Sequence, residues 1–305
     1  MAFVNDFYLL NNGIKIPAIG FGTYPMANGD ETYRAVSLAI KNGYRFIDTA
    51  SSYGNEESVG KAVRDSGLAR SELFILSKLP AEIKDFDEVL KSFDITMKTI
   101  GLDYIDLYII HSPRPLDHLD EDYTKENIEA WRAMESIYKT GKCRAIGVSN
   151  FNITYLTSIL ENCTIKPSIN QIKFYIGNTQ SDLVDFCRKN DILVTGYMPM
   201  AKGAILKNKD ISSVAKRYRK TLPQICLRYV MQKGIIPITK SVHEEYIIEN
   251  RDIDFELSER DISFFDDLKN TETHKTRKLV SMIKKTIRFV MGENIYFKTK
   301  KLLKS

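Results

Sequence analysis

Asp48, Tyr53, Lys78 and His111 bring together four side chains that bind, hold or move protons. Asp48 ends the run Tyr44-Arg45-Phe46-Ile47, and Tyr53 follows in the next loop. Lys78 ends Leu73-Phe74-Ile75-Leu76-Ser77, and His111 ends Ile105-Asp106-Leu107-Tyr108-Ile109-Ile110. A short apolar run bounded by polar signals reads as a buried parallel strand. Three such strands, each delivering an ionisable group at its carboxyl end, place those groups on one rim, and in α/β barrels chemistry belongs to that rim. A free phenol, with a pKa of about 10, is a sluggish acid, and a nearby cation lowers that value by stabilising the phenolate. Lys78 is therefore expected to strengthen Tyr53 as an acid, with Asp48 orienting and pairing the lysine. His111 could hydrogen-bond a substrate oxygen and fix its angle.

The elements that must position these groups alternate along the chain. Phe7 to Leu10, Asn12-Gly13 and Ile14 to Pro17 read as a hairpin turning at Asn-Gly. Eight strands are expected after it, at residues 18–22, 44–48, 73–77, 105–110, 145–148, 168–172, 192–197 and 235–238. Helical patterns fall at 31–41, 56–66, 86–100, 125–139, 153–161, 180–189 and 210–232, the last broken near Leu222-Pro223, with another helix starting at Glu244. Eight strand–helix alternations in about 250 residues predict an α/β chain folded as a (β/α)8 TIM barrel. A doubly wound sheet is the alternative, but it needs no such even continuation to eight.

Composition narrows the function classes. The chain has 305 residues and 43% hydrophobic content, enough for a large core. The amino terminus has no basic stretch followed by an apolar one, and no run approaches the roughly 18 apolar residues of a membrane span. Cys143, Cys163, Cys187 and Cys226 show no paired spacing and read as reduced core fillers, which points to a cytoplasmic location. The four histidines show no metal-ligand spacing, so no metal is expected. From His274 onward ten bases meet one acid, leaving 34 bases and 38 acids in residues 1–273. A mildly acidic body thus carries a basic tail, and nothing marks the body as nucleic-acid binding.

One reaction that a proton-donating group of this kind would serve is carbonyl reduction, which needs a proton on oxygen and a hydride on carbon. No side chain donates hydride, so a nicotinamide must. Ser149, Asn150 and Gln171 offer a hydroxyl and two amides that could hold a carboxamide, and Tyr197 offers a flat ring for the opposite face. No Gly-x-Gly-x-x-Gly opens a helix after a strand, so a Rossmann mode is not expected. Gly20-Phe21-Gly22 reads as room for the cofactor or as tight strand packing. The loop Met200 to Ala204 is placed along the pyrophosphate, with Lys202 as its charge partner.

Several ordered blocks together make the chain resemble the aldo-keto reductase family. They are Gly43 to Ala50 with Tyr53, Gly54, Glu56 and Gly60; Ile75 to Lys78; Asp106 to Pro113; Gly141 to Phe151; Asn170-Gln171; Val194 to Met200; Ile236 to Ser241; and Glu249-Asn250. The resemblance covers roughly residues 7–270. It implies a barrel spanning residues 1–273 that reduces an aldehyde or ketone with NADPH or NADH, using Asp48, Tyr53, Lys78 and His111. It also implies cofactor contacts from Gly22, Thr23, Ser149, Asn150, Gln171, Tyr197, Met200, Lys202, Lys240, Ser241, Tyr246, Glu249 and Asn250. A cofactor-binding barrel serving as a regulatory or partner-binding subunit is the other class, and the intact four residues favour the enzyme.

Departures from the family pattern carry their own expectations. Tyr246 stands where an arginine usually grips the 2′-phosphate of NADPH, so Lys240 and Ser241 remain without the bidentate fork and NADH use becomes plausible. Ser112 replaces a frequent tryptophan and opens the substrate pocket, which Tyr24 also borders. Lys173 stands where an acid is usual. In residues 274–305, Leu279, Val280, Met282, Ile283, Ile287, Phe289 and Val290 share one helical face, opposite Arg277, Lys278, Lys284, Lys285 and Arg288. This tail reads first as a terminal helix packed on the barrel or lidding its pocket. The sharper reading is an interfacial helix on an anionic membrane or acidic partner.

Overall fold

The computed structural model describes residues 2–268 apart from 116 and 119; the tail expected at 274–305 lies outside the described residues. Strands β1 (Phe7–Leu9) and β2 (Lys15–Pro17) form an antiparallel hairpin. The sequence then runs β3 (Gly20–Gly22), α1 (Asp30–Lys41), β4 (Phe46–Asp48), α2 (Glu56–Arg64), β5 (Phe74–Leu79), α3 (Phe86–Ile100), β6 (Leu107–Ile110) and α4 (Thr124–Lys139). It continues through β7 (Ile146–Ser149), α5 (Ile153–Asn162), β8 (Ile169–Lys173), α6 (Ser181–Lys189), β9 (Leu193–Tyr197), α7 (Lys209–Tyr218), α8 (Leu222–Gln232), β10 (Ile236–Thr239), α9 (Glu244–Glu249) and α10 (Glu259–Asp267). Strands β3 to β10 close a parallel barrel in sequence order, β10 returning to pair with β3. The (β/α)8 expectation therefore holds, hairpin included.

Strands β3, β4, β6 and β9 are shorter than the apolar runs that announce them, and β5 runs on past its expected end through Lys78 and Leu79. Tyr44 and Leu73 are buried yet lie outside the ladders, and Ile105 pairs with Cys143 only as an isolated bridge, because chain entering the barrel floor is apolar too. Hydrophobicity reports burial, and hydrogen-bond pairing occupies only part of each run. The core is built from inward residues such as Phe46, Phe74, Leu76, Leu107, Ile109, Ile169 and Ile236, with Leu10 and Ile16 of the hairpin segment sealing its base. Thr221 caps α8 through Gln224 in a reciprocal box, which is why the expected 210–232 helix is two helices. Helix α10 was not expected; its signal is Ser258, whose hydroxyl accepts from the Asp261 amide, followed by the buried Phe265.

Of the four free cysteines, Cys143, Cys187 and Cys226 are buried and Cys163 is half-buried, as expected of core fillers. Among the described residues no helix is long and apolar enough to cross a membrane.

Gly60 fixes how α2 meets α3. A Cβ there would stand 1.7 Å from the Ile100 carbonyl oxygen, a collision with backbone that no rotamer relieves. Gly60→Ala is expected to cost at least about 1–3 kcal/mol, read as a lowered denaturation midpoint. An unchanged midpoint would mean that the two helices separate freely.

Candidate active site

The barrel delivers the four proton-handling residues to one end. Asp48 is the last residue of β4, and Lys78 lies on β5, in register with Ile109 of β6. His111 follows β6 directly, and Tyr53 ends a short 3-10 turn, Ser51–Tyr53, after β4. Lys78 is fully buried and Asp48 is 4% exposed. The lysine Nζ donates to Asp48 Oδ1 at 2.6 Å, to the Thr49 carbonyl at 2.7 Å and to the Tyr53 hydroxyl at 3.3 Å. The Tyr53 and His111 rings meet edge to face with centroids 5.6 Å apart, and Ser52 Oγ lies 3.1 Å from His111 Nδ1. Tyr24, 55% exposed, stands against Tyr53 with ring centroids 5.0 Å apart.

The electrostatics differ from the sequence expectation in one respect. Burial raises the Tyr53 pKa above 10, and Lys78 pulls the other way without overcoming it. Removing the phenolate from water costs more than one neighbouring ammonium returns, because Asp48 already spends much of that cation's field. Tyr53 is therefore a fully protonated donor at neutral pH rather than an acid pre-shifted toward neutrality. Burial works against the Lys78 charge, but Asp48 and Tyr53 outweigh it and hold the amine above its ordinary value. Burial and the Lys78 charge push His111 down to about 3, so its ring is neutral near pH 7.

A second row of polar groups adjoins the first. Ser149 ends β7, and its hydroxyl donates to the Gln171 carbonyl at 2.9 Å. The Asn150 amide donates to Ser149 Oγ at 3.0 Å and to the His111 carbonyl at 3.1 Å. Its oxygen accepts from the Tyr197 hydroxyl at 2.7 Å. Asn150 takes a left-handed backbone at φ 62°, a turn that asparagine tolerates better than most residues. Gln171 on β8 donates from Nε2 to Asp48 Oδ2 at 2.6 Å, a tie between the two rows that the sequence did not disclose. Hydroxyl, amides and ring thus stand beside the proton-handling group, and this donor set suits a carboxamide-bearing ring.

The remaining expected cofactor residues lie outside these two rows, and Thr23 bonds to the Asp48 backbone. Gly22 packs closely: a Cβ there would meet Ile238 Cγ2 at 2.9 Å. Thr23 is buried and donates to the Asp48 carbonyl and to Asn55 Oδ1. Met200 precedes the 3-10 segment Ala201–Lys207, where Lys202 is exposed with φ 55°. Lys240 is exposed beyond β10, Ser241 closes a turn onto His243, and Tyr246 is 52% exposed on α9. Glu249 accepts from the Thr221 hydroxyl and Asn250 is buried, so both also tie α9 to α8 or to the core. Ser112 is half-buried, next to His111.

Sequence reasoning missed Asn55. This buried amide receives Thr23 and Thr49 hydroxyls and donates to the Thr23 and Met26 carbonyls, locking the loops after β3 and β4. Its position in Gly54-Asn55-Glu56 was the available signal. A cavity of about 270 Å³ lined by Asp6, Lys15, Arg45, Asp106, Arg144 and Arg251 lies at the strands' amino ends, away from these groups.

A closed parallel barrel with this rim defines the class of (β/α)8 oxidoreductases. The aldo/keto reductase family model matches residues 18–270. Glyoxal reductase of Bacillus subtilis is 42% identical over 270 residues, covering 88% of this chain and 95% of that protein. An aldo-keto reductase from a Medee basin deep-sea metagenome superposes with TM-score 0.82 at 37% identity, covering 87% of this chain and 96% of the other. The Bombyx mori aldo-keto reductase in complex with NADP gives TM-score 0.78 at 36% identity, over 87% and 93% of the two chains. The chain belongs to the aldo/keto reductase family.

Proposed function

We propose that this chain is an NAD(P)H-dependent reductase of small aldehydes or ketones, with 1,2-dicarbonyls such as glyoxal as the leading substrate class. The observation that carries the reading is the buried Lys78 ammonium held between Asp48 Oδ1 at 2.6 Å and the Tyr53 hydroxyl at 3.3 Å. The similarity to a glyoxal reductase points to the substrate class. When bound, the nicotinamide supplies hydride to the carbonyl carbon. Ser149, Asn150 and Gln171 would hold its carboxamide and Tyr197 its ring face.

Tyr53 donates the proton to the carbonyl oxygen, whose negative charge develops as hydride arrives. A raised phenol pKa keeps the donor loaded, and the Lys78 charge stabilises the phenolate left behind. In the tautomer whose Nδ1 accepts from the Ser52 hydroxyl, neutral His111 carries its proton on Nε2 and offers a donor to the same oxygen. In the oxidative direction Tyr53 takes the proton back. Purified protein should oxidise NADPH in the presence of glyoxal and an aldehyde panel, followed at the cofactor's absorbance. Cofactor binding with no turnover of any carbonyl would overturn the reading in favour of a binding subunit.

Cofactor choice gives a further expectation. Tyr246 lies half exposed on α9, near Lys240 and Ser241 in the chain. Tyr246→Arg should tighten NADPH by about 1–3 kcal/mol through a charge-assisted contact while leaving NADH nearly unchanged. Fluorescence titration of both cofactors decides it, and equal shifts would place Tyr246 away from the phosphate.

A further inference from the structure

Lys84 is buried where the mechanism above gives it nothing to do. It lies in the loop between β5 and α3 and is 6% exposed. Its Nζ donates to the Ser112 carbonyl at 2.9 Å and to Asn127 Oδ1 on α4 at 2.9 Å. Among the described residues no carboxylate pairs with it. Desolvation pushes the amine down to about 7, against the pull of Glu82 on its own loop and Glu126 on α4. Burying a cation without an ion-pair partner is costly, and an apolar side chain of similar length would fill the space at lower cost.

What the amine does hold is the backbone beside His111. The His111 amide donates to the Leu79 carbonyl at 3.0 Å, and the His111 carbonyl accepts from Asn150 at 3.1 Å. The next carbonyl, that of Ser112, accepts from Lys84. Three backbone groups of His111 and Ser112 are thereby held from β5, from Asn150 and from the β5–α3 loop. Lys84 supplies the third hold, at the point where the chain leaves the rim. Asn127 Nδ2, buried without a partner, shows that the amide oxygen has been turned toward the amine at the expense of its own nitrogen.

We propose that Lys84 is a positioning residue for carbonyl reduction. Its amine pins the Ser112 carbonyl, and so fixes both the His111 ring and the pocket wall at Ser112 against the substrate. The inference rests on the reductase reading and adds a specificity-determining contact outside the four proton-handling residues. The rim side chains are not touched by Lys84, so its influence passes through the His111–Ser112 backbone alone.

The test compares wild type with Lys84→Met, which keeps the volume and removes the donor, and Lys84→Gln, which keeps a neutral donor. With glyoxal and NADPH, Lys84→Met should raise KM and lower kcat/KM about tenfold, since small misplacements near reacting atoms cost up to about a hundredfold. Its NADPH dissociation constant should stay within about twofold and its denaturation midpoint should not fall, while Lys84→Gln recovers most of kcat/KM. Amide hydrogen exchange across 111–114 should quicken in Lys84→Met, a readout that needs no turnover. Wild-type kcat/KM with unchanged exchange in Lys84→Met would overturn the proposal. So would a loss of activity matched by losses of cofactor affinity and stability, the mark of a purely structural role. Failure of wild-type protein to reduce any carbonyl would instead strike the reductase reading.

Discussion

Tyr53→Phe is expected to abolish nearly all turnover while leaving the cofactor bound. The substitution removes one oxygen from a side chain whose hydroxyl receives the Lys78 ammonium at 3.3 Å, and changes little else. Placing the proton on the substrate oxygen by a positioned acid contributes about 10²–10⁴-fold, and that factor should disappear from kcat. The Ser149, Asn150 and Gln171 row does not involve the hydroxyl, so NADPH affinity measured by fluorescence should hold within about twofold. Turnover within about tenfold of wild type would remove Tyr53 from the role of general acid.

Asp48→Asn should give the largest loss of stability among conservative changes at this rim. Asp48 receives Lys78 on one oxygen and Gln171 on the other, each at 2.6 Å. Whichever way an asparagine amide turns, its NH₂ faces one of those donors, and Lys78 remains a buried cation without its carboxylate. Removing one partner of a buried pair costs about 3–5 kcal/mol, to be read from urea denaturation. The sign with pH follows from the raised Lys78 pKa. Its stabilisation is complete below the unfolded lysine value of about 10.4 and fades as pH climbs through the higher folded value. The deficit of the variant should therefore be flat from about pH 6 to about pH 9. A loss below about 1 kcal/mol would show that the ion pair contributes little to the fold.

Much of this was legible in the sequence because the barrel makes periodicity and chemistry coincide. Each apolar run marks a strand, and the ionisable residue that closes its carboxyl end marks the rim, which located Asp48, Lys78 and His111 directly. What stayed hidden depends on distances across the barrel. Gln171 reaches Asp48 across the strands between β4 and β8, and no spacing in the chain encodes that contact. The direction of the Tyr53 shift was misjudged for a related reason. The sequence names the cation beside the phenol but not how deeply the phenol is desolvated. Lys84 reads as one surface lysine among many until the fold buries it. The close approach of Ile238 to Gly22 is likewise invisible in the chain, which shows only a glycine near a strand end.

The Gln171–Asp48 hydrogen bond has a thermodynamic corollary. Asp48 divides its two oxygens between the Gln171 amide and the Lys78 ammonium beside the Tyr53 hydroxyl. A ligand that draws the Gln171 amide away leaves the carboxylate with one donor fewer, and its charge bears more fully on Lys78. By reciprocity, whatever changes the protonation of Lys78 changes the affinity for that ligand by the same factor. Occupancy of one row and proton affinity in the other are then two readings of a single coupling free energy, carried by one shared carboxylate.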